Sequence, residues 1–142
     1  MRMHISRLIV CLYTLLLFVS CAHLPVGHTD EDTVQKQVQL EWDAKVGNDW
    51  GAVYDLCAKA FKDAIPRNNF IKRCNLQVEE FSIEEIEIIE PGKKALAIVK
   101  YQTNQMGYVF NMTSREEWIW EGGKWCLNLS PSVMRLPFMN TN

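Results

Sequence analysis

Arg115-Glu116-Glu117-Trp118-Ile119-Trp120-Glu121-Gly122-Gly123-Lys124-Trp125 reads as two β-strands joined by a two-residue turn. Apolar and polar residues alternate on either side of Gly122-Gly123, and the paired glycines supply the positive φ angles of a tight hairpin. A two-residue loop fixes the register, setting Glu121 opposite Lys124, Trp120 opposite Trp125 and Trp118 opposite Leu127. Opposite charges then meet on one face and two indoles on the other, each pair worth roughly 0.2 to 1 kcal/mol. The pattern predicts that Trp120 is a large buried ring of the closing hairpin.

Working back along the chain, Tyr108, Phe110 and Met112 continue the same alternation. Read as one strand, they share a face with Ser114, Glu116, Trp118 and Trp120. Pro91-Gly92 turns into Ala95-Leu96-Ala97-Ile98-Val99-Lys100-Tyr101, a strand apolar on both faces for half its length. Phe81 and Ile83, followed by Ile86 and Ile88, slip phase and predict a bulge at Glu84-Glu85.

Before Phe81 the period lengthens towards that of a helix. Val34, Val38, Trp42 and Val46 draw one stripe on a helix from the Asp30-Glu31-Asp32 cluster to Gly47-Asn48. Trp50, Val53, Tyr54 and Cys57 mark a second helix, capped by Asn48 or Asp49 and ended by Pro66. A third, from Arg67 to about Asn75, presents Phe70, Ile71 and Cys74. The fold class is α+β, three helices packed on a curved antiparallel sheet of about four strands, in a single domain over residues 33–142.

Hydrophobic residues make up 48% and charged residues 23% of the 142, with a formal net charge of −2. Neither a disordered chain nor a basic nucleic-acid binder has that composition. Arg2, His4 and Arg7 precede Leu8 to Ser20, thirteen residues without a charge. This is a basic n-region and an apolar h-region, too short to span a bilayer comfortably. The assignment is a signal peptide at 1–20 and a tether at 21–32, broken by Pro25 and Gly27. Export leaves 13 Lys and Arg against 17 Asp and Glu, a mature net charge of −4, which disfavours capture of DNA or anionic lipid.

Leu17-Phe18-Val19-Ser20-Cys21 resembles the lipobox of bacterial lipoproteins, with Phe18 in place of the usual Leu. The resemblance implies that the Cys21 thiol is acylated and the signal removed before it. Ala22, where an inner-membrane retention signal places Asp, implies sorting to the outer membrane, facing the periplasm. An ordinary secretory signal cut after Ala22 is the alternative.

The order of helices and strands resembles the cone-shaped nuclear transport factor 2-like superfamily, the cystatin-like α+β cone that includes ketosteroid isomerases and polyketide cyclases. Three stretches carry the likeness: Asn48-Asp49-Trp50-Gly51-Ala52-Val53-Tyr54, Pro66-Arg67-Asn68-Asn69-Phe70, and the Arg115–Trp125 hairpin. The resemblance implies an apolar pocket, which enzymes of the superfamily line with acidic or His residues. The histidines beyond the signal, His23 and His28, fall in the tether, leaving carboxylates for such chemistry. Glu116 is the one acid on the inward strand face, where desolvation would raise its pKa towards that of a general base.

The expected pocket draws on Tyr54, Tyr101, Tyr108, Phe110, Glu116 and Trp118, with Trp42 and Trp50 adding aromatic surface; the same spacing also describes plain core. Two states stand for the cysteines, a Cys57–Cys74 disulfide or three buried free thiols. No spacing for a zinc site occurs, and the Glu79–Glu90 run reads as a solvated face. The leading functional expectation is an envelope-anchored lipoprotein, held to the membrane by its lipid, that binds a small apolar ligand or an envelope protein without catalysis or cofactor. Against it stand an isomerase or dehydratase using Glu116 and a structural homodimer.

Overall fold

A computed structural model describes residues 29–132. The signal peptide and Cys21 lie outside the described residues. Thr29 opens α1 (Asp30–Val46) with a reciprocal capping box: its hydroxyl accepts from the Asp32 N–H while the Asp32 carboxylate accepts from the Thr29 N–H. The helix starts at the Asp30-Glu31-Asp32 cluster, as the stripe predicts.

Asp49 caps α2 (Trp50–Leu56) by accepting from the Ala52 N–H. The expected second helix is two, because the chain leaves helical geometry at Cys57 and Ala58 before resuming as α3 (Lys59–Ala64). The break serves the sheet. Cys57 forms a parallel bridge with Leu127, and the Ala58 N–H donates to the Leu127 carbonyl at 2.8 Å. The Lys59 N–H donates to the Glu121 carboxylate, so hairpin and helix start hold each other. After Pro66 comes α4 (Arg67–Arg73), so the described residues hold four helices where three are expected.

Four strands follow as an antiparallel meander: β1 (Val78–Glu90), β2 (Lys94–Gln105), β3 (Tyr108–Glu121) and β4 (Lys124–Leu127). The register shift between Ile83 and Glu85 is the expected bulge, joined by others at Val78/Glu80 and Ile88/Glu90. Three shifts along one strand increase its local twist and bend it. In β3 the pairing runs unbroken from Tyr108 to Ile119, so Glu116 stays on the inward face.

The hairpin register is as expected, Glu121 with Lys124, Trp120 with Trp125 and Trp118 with Leu127. Gly122 and Gly123 have φ of 60° and 83°, the left-handed values the turn requires. The burial of its tryptophans differs from expectation. Trp118 and Trp125 are buried, whereas Trp120 is 46% exposed and meets Trp125 edge-on, ring centroids 5.6 Å apart. The core ends one step earlier on β3, where Trp118 joins Val34, Val38, Val53, Cys57, Ala95 and Ala97. Trp125 Nε1 donates to the Thr33 hydroxyl, fastening the start of α1 to the hairpin.

These positions separate the two indoles by experiment. Trp118→Ala should cost about 3 to 5 kcal/mol, the range for emptying a large core site. Trp120→Ala should cost about 1 kcal/mol, most of it the edge-to-face contact. Urea unfolding of both variants checks the order, and equal losses would contradict it.

Candidate functional site

Two neighbouring features on the inner side of the sheet carry the chemistry: a buried cluster of charges and an apolar cavity. The cluster starts from α1, whose inward stripe turns with the 3.6-residue period rather than a strict spacing of four. Relative to Val34, Val46 has drifted by about 120°, while Glu41 and Lys45 lie within about 20° of it. Val46 is accordingly exposed at 42%, and Glu41 is buried at 1%.

Lys45 Nζ stands 2.6 Å from Glu41 Oε1 and 2.9 Å from Glu116 Oε1. It also lies 3.8 Å from the centre of the Trp42 ring. Glu116 accepts further hydrogen bonds from Trp42 Nε1 at 2.9 Å and the Ser114 hydroxyl at 3.0 Å. The Glu41 carboxyl, wholly buried, lies against Lys45 and beside Glu116.

One ammonium between two buried carboxyls favours ionisation of only one of them. Burial pushes Glu41 up to about 8, with the neighbouring Glu116 charge adding to the rise against the pull of Lys45. Burial acts on Glu116 in the same direction, but Lys45, Trp42 and Glu41 together hold its carboxyl below the ordinary range. The expectation of a raised Glu116 pKa is thus corrected. Burial works against the charge on Lys45, and the two carboxylates overcome it, raising its pKa. The raised Glu41 and lowered Glu116 pKa values favour an arrangement in which Glu116 carries the negative charge beside Lys45 and Glu41 is the carboxyl that holds a proton more readily.

Towards the β2–β3 turn the helices no longer cover the sheet. Trp50, Cys74, Leu76, Tyr101, Phe110 and Met112 surround a cavity of about 340 Å³, with Asn75, Thr103 and Gln105 contributing polar atoms. Of the expected pocket residues, Tyr101 and Phe110 line it. Trp118 lies wholly in the core, and Tyr108 is 72% exposed at the hairpin. Tyr54 is buried, its hydroxyl donating to the Ile65 carbonyl at 2.8 Å. Glu116 belongs to the charged cluster, with Tyr101 next to it, its ring tilted against that of Trp42 with centroids 4.9 Å apart.

The cysteines take the free-thiol state instead of the disulfide. Cys57 Sγ donates to the Val53 carbonyl within the core, while Cys74 edges the cavity. Burial pushes Cys57 up to about 12, helped by the Glu41 charge, and Cys74 up to about 11. Both are thiols at neutral pH. Among the described residues no three His, Cys, Asp or Glu side chains are placed to hold a metal ion. No helix among them is long and apolar enough to cross a membrane.

No protein-family model matches this sequence, and no curated protein matches it. Solved structures do. A SEC-C motif containing protein from Rhodopseudomonas palustris aligns with a TM-score of 0.54 at 12% identity, over 72% of this chain and 77% of that one. Another SEC-C motif containing protein, from Psychrobacter arcticus, gives a TM-score of 0.56 at 12% identity over 72% of this chain, which spans 61% of that protein. An NTF-2-like protein of unknown function from Shewanella oneidensis MR-1 aligns at a TM-score of 0.48 and 11% identity, over 68% of this chain and 92% of its own. The first two establish the α+β fold as a shared one, and their low identity carries the likeness no further than fold.

The cluster predicts a pH dependence with a definite sign. Glu41 keeps its proton in the folded protein up to about 8, whereas the unfolded chain sheds it near the ordinary 4.5. Stability contributed by this group is complete below the lower value and declines as pH rises to the upper one, by about 1.4 kcal/mol per pH unit. Glu116 loses its contribution only at acid pH and Lys45 only at alkaline pH. Urea unfolding between pH 5.5 and 8 should show the decline, and Glu41→Gln should flatten it. Adding Glu116→Gln should cost a further 3 to 5 kcal/mol or roughly that, because Lys45 is then buried without an anion. An unchanged slope in Glu41→Gln would refute the protonation assignment.

Proposed function

We propose that this protein is an envelope-anchored lipoprotein whose domain, of the nuclear transport factor 2-like kind, binds a small apolar ligand without catalysis. The observation that carries the reading is the cavity at the uncovered end of the sheet. Its volume of about 340 Å³ falls in the range of small-molecule sites, and aromatic and aliphatic side chains form most of its wall. The helix-then-meander order supports the superfamily assignment, and the Leu17–Cys21 stretch supports lipid attachment.

The arrangement of Glu116 favours binding over the isomerase or dehydratase reading. A general base needs a carboxylate free to face substrate with a pKa near the working pH. Glu116 has three hydrogen-bond donors around it and a lowered pKa. Its role is to hold α1 against β3.

Exposed Tyr108, Phe110 and Met112 on the inner side of β3 support a second reading, a homodimer closed across the open end. Sedimentation analysis separates the two, since a dimer would bury the cavity mouth.

The core residues of the described segment run from Val34 to Leu127, so binding is testable on the chain from Ala22 onward without its lipid. The neutral fluorophore 1-aminoanthracene should bind with enhanced emission. Phe110→Glu, at a half-exposed position the fold tolerates, should weaken that binding at least tenfold. Binding unaffected by the substitution would remove the cavity from consideration. For the anchor, palmitate labelling in the bacterial host should mark the full chain and be lost in Cys21→Ala. Labelling that persists in the variant would dismiss the lipobox reading.

A further inference from the structure

Thr103 borders the cavity from β2, is 3% exposed, and its hydroxyl oxygen is buried without a hydrogen-bond partner. A hydroxyl withdrawn from water and left unpaired is costly, and a valine would fill the same space without that cost. The two branches of a threonine are nearly equal in size, so a turn about χ1 would carry the hydroxyl from this buried position to the cavity side. Asn75 on the same wall already has an interaction of its own.

The surroundings of Thr103 restrict what could pair with it. No charged side chain lines the cavity, and the chain from Tyr101 to Ser114 contains no Asp, Glu, Lys or Arg. Lys45, the nearest buried cation, is held between Glu41 and Glu116. Burial raises both the Cys74 thiol and the Tyr101 phenol, which therefore remain neutral. An ionised ligand would surrender its hydration here with no opposite charge in return. The rings of Trp50, Tyr101 and Phe110 offer flat surfaces instead.

Resting on the ligand-binding reading, we infer that this site takes an uncharged, flat aromatic or polycyclic molecule bearing one hydrogen-bonding group, anchored by the Thr103 hydroxyl. That hydroxyl both donates and accepts, so a ligand hydroxyl or carbonyl serves equally.

Displacement of 1-aminoanthracene from the chain beginning at Ala22, at pH 7, tests the inference with 2-naphthol, 2-methylnaphthalene and 2-naphthoate. In the native sequence 2-naphthol should bind roughly three- to tenfold tighter than 2-methylnaphthalene, the contribution of one neutral hydrogen bond. The carboxylate should compete weakest. Thr103→Val should erase the preference for 2-naphthol while leaving 2-methylnaphthalene as tight or tighter. Its melting temperature should equal or exceed that of the native sequence, which also confirms folding. Equal binding of the two neutral probes, untouched by Thr103→Val, would overturn the anchor while the cavity reading stands. Tightest binding by 2-naphthoate would overturn the uncharged class. Failure of every probe, 1-aminoanthracene included, would overturn the cavity reading and the anchor with it.

Discussion

Lys45 lies between Glu41 and Glu116 under the Trp42 ring, and the packing of α1 against the sheet is organised around that contact. An ammonium buried among apolar side chains must be neutralised, and Glu116 reaches it only when α1 sits at one rotation and one height over β3. Trp42 Nε1 donates to the same carboxylate, adding a second constraint from the same helix. With α1 fixed, Trp42 packs on Phe81 and Tyr101, and Trp125 finds the Thr33 hydroxyl one end away. A purely apolar stripe would bury comparable area but allow the helix to slide or roll. The charges select one docking, in exchange for desolvating three ionisable groups.

The strands were the more legible part of the sequence. Their period of two survives burial on one face, and the phase slip at Glu84 marks a bulge that the pairing also has. The hairpin was readable residue by residue because Gly122-Gly123 permits one loop length. Helical boundaries at Cys57 and Ala58 were not, since no local breaker stands there and the cause is a bridge to Leu127, seventy positions downstream. Likewise Trp120 has the right phase for the core but lies beyond the helices that would cover it. Alternation specifies a face of a sheet without revealing how far along it the cover extends.

Within the site, Glu116 was identifiable as the inward acid, while its partners were not. Glu41 and Lys45 occupy the centre of the inward arc of α1, and a stripe counted in strict fours passes them by. Counting at 100° per residue brings both onto the face of Val34 and reveals an i, i+4 acid–base pair where apolar residues are expected. The cavity wall was partly visible in Tyr101 and Phe110. Leu76 and Cys74 join it from the connection into β1, whose path depends on the whole fold.

The two ends of the sheet are chemically unlike. At one, Asp30 at the start of α1 accepts from the Gly92 N–H in the β1–β2 turn, tying that turn to the helix. The cavity opens at the other, around Thr103, roughly 30 Å away along β2. One end of the sheet is thus tied down by α1 and the other left open, so a guest can enter the cavity without displacing the helix whose docking fixes the fold.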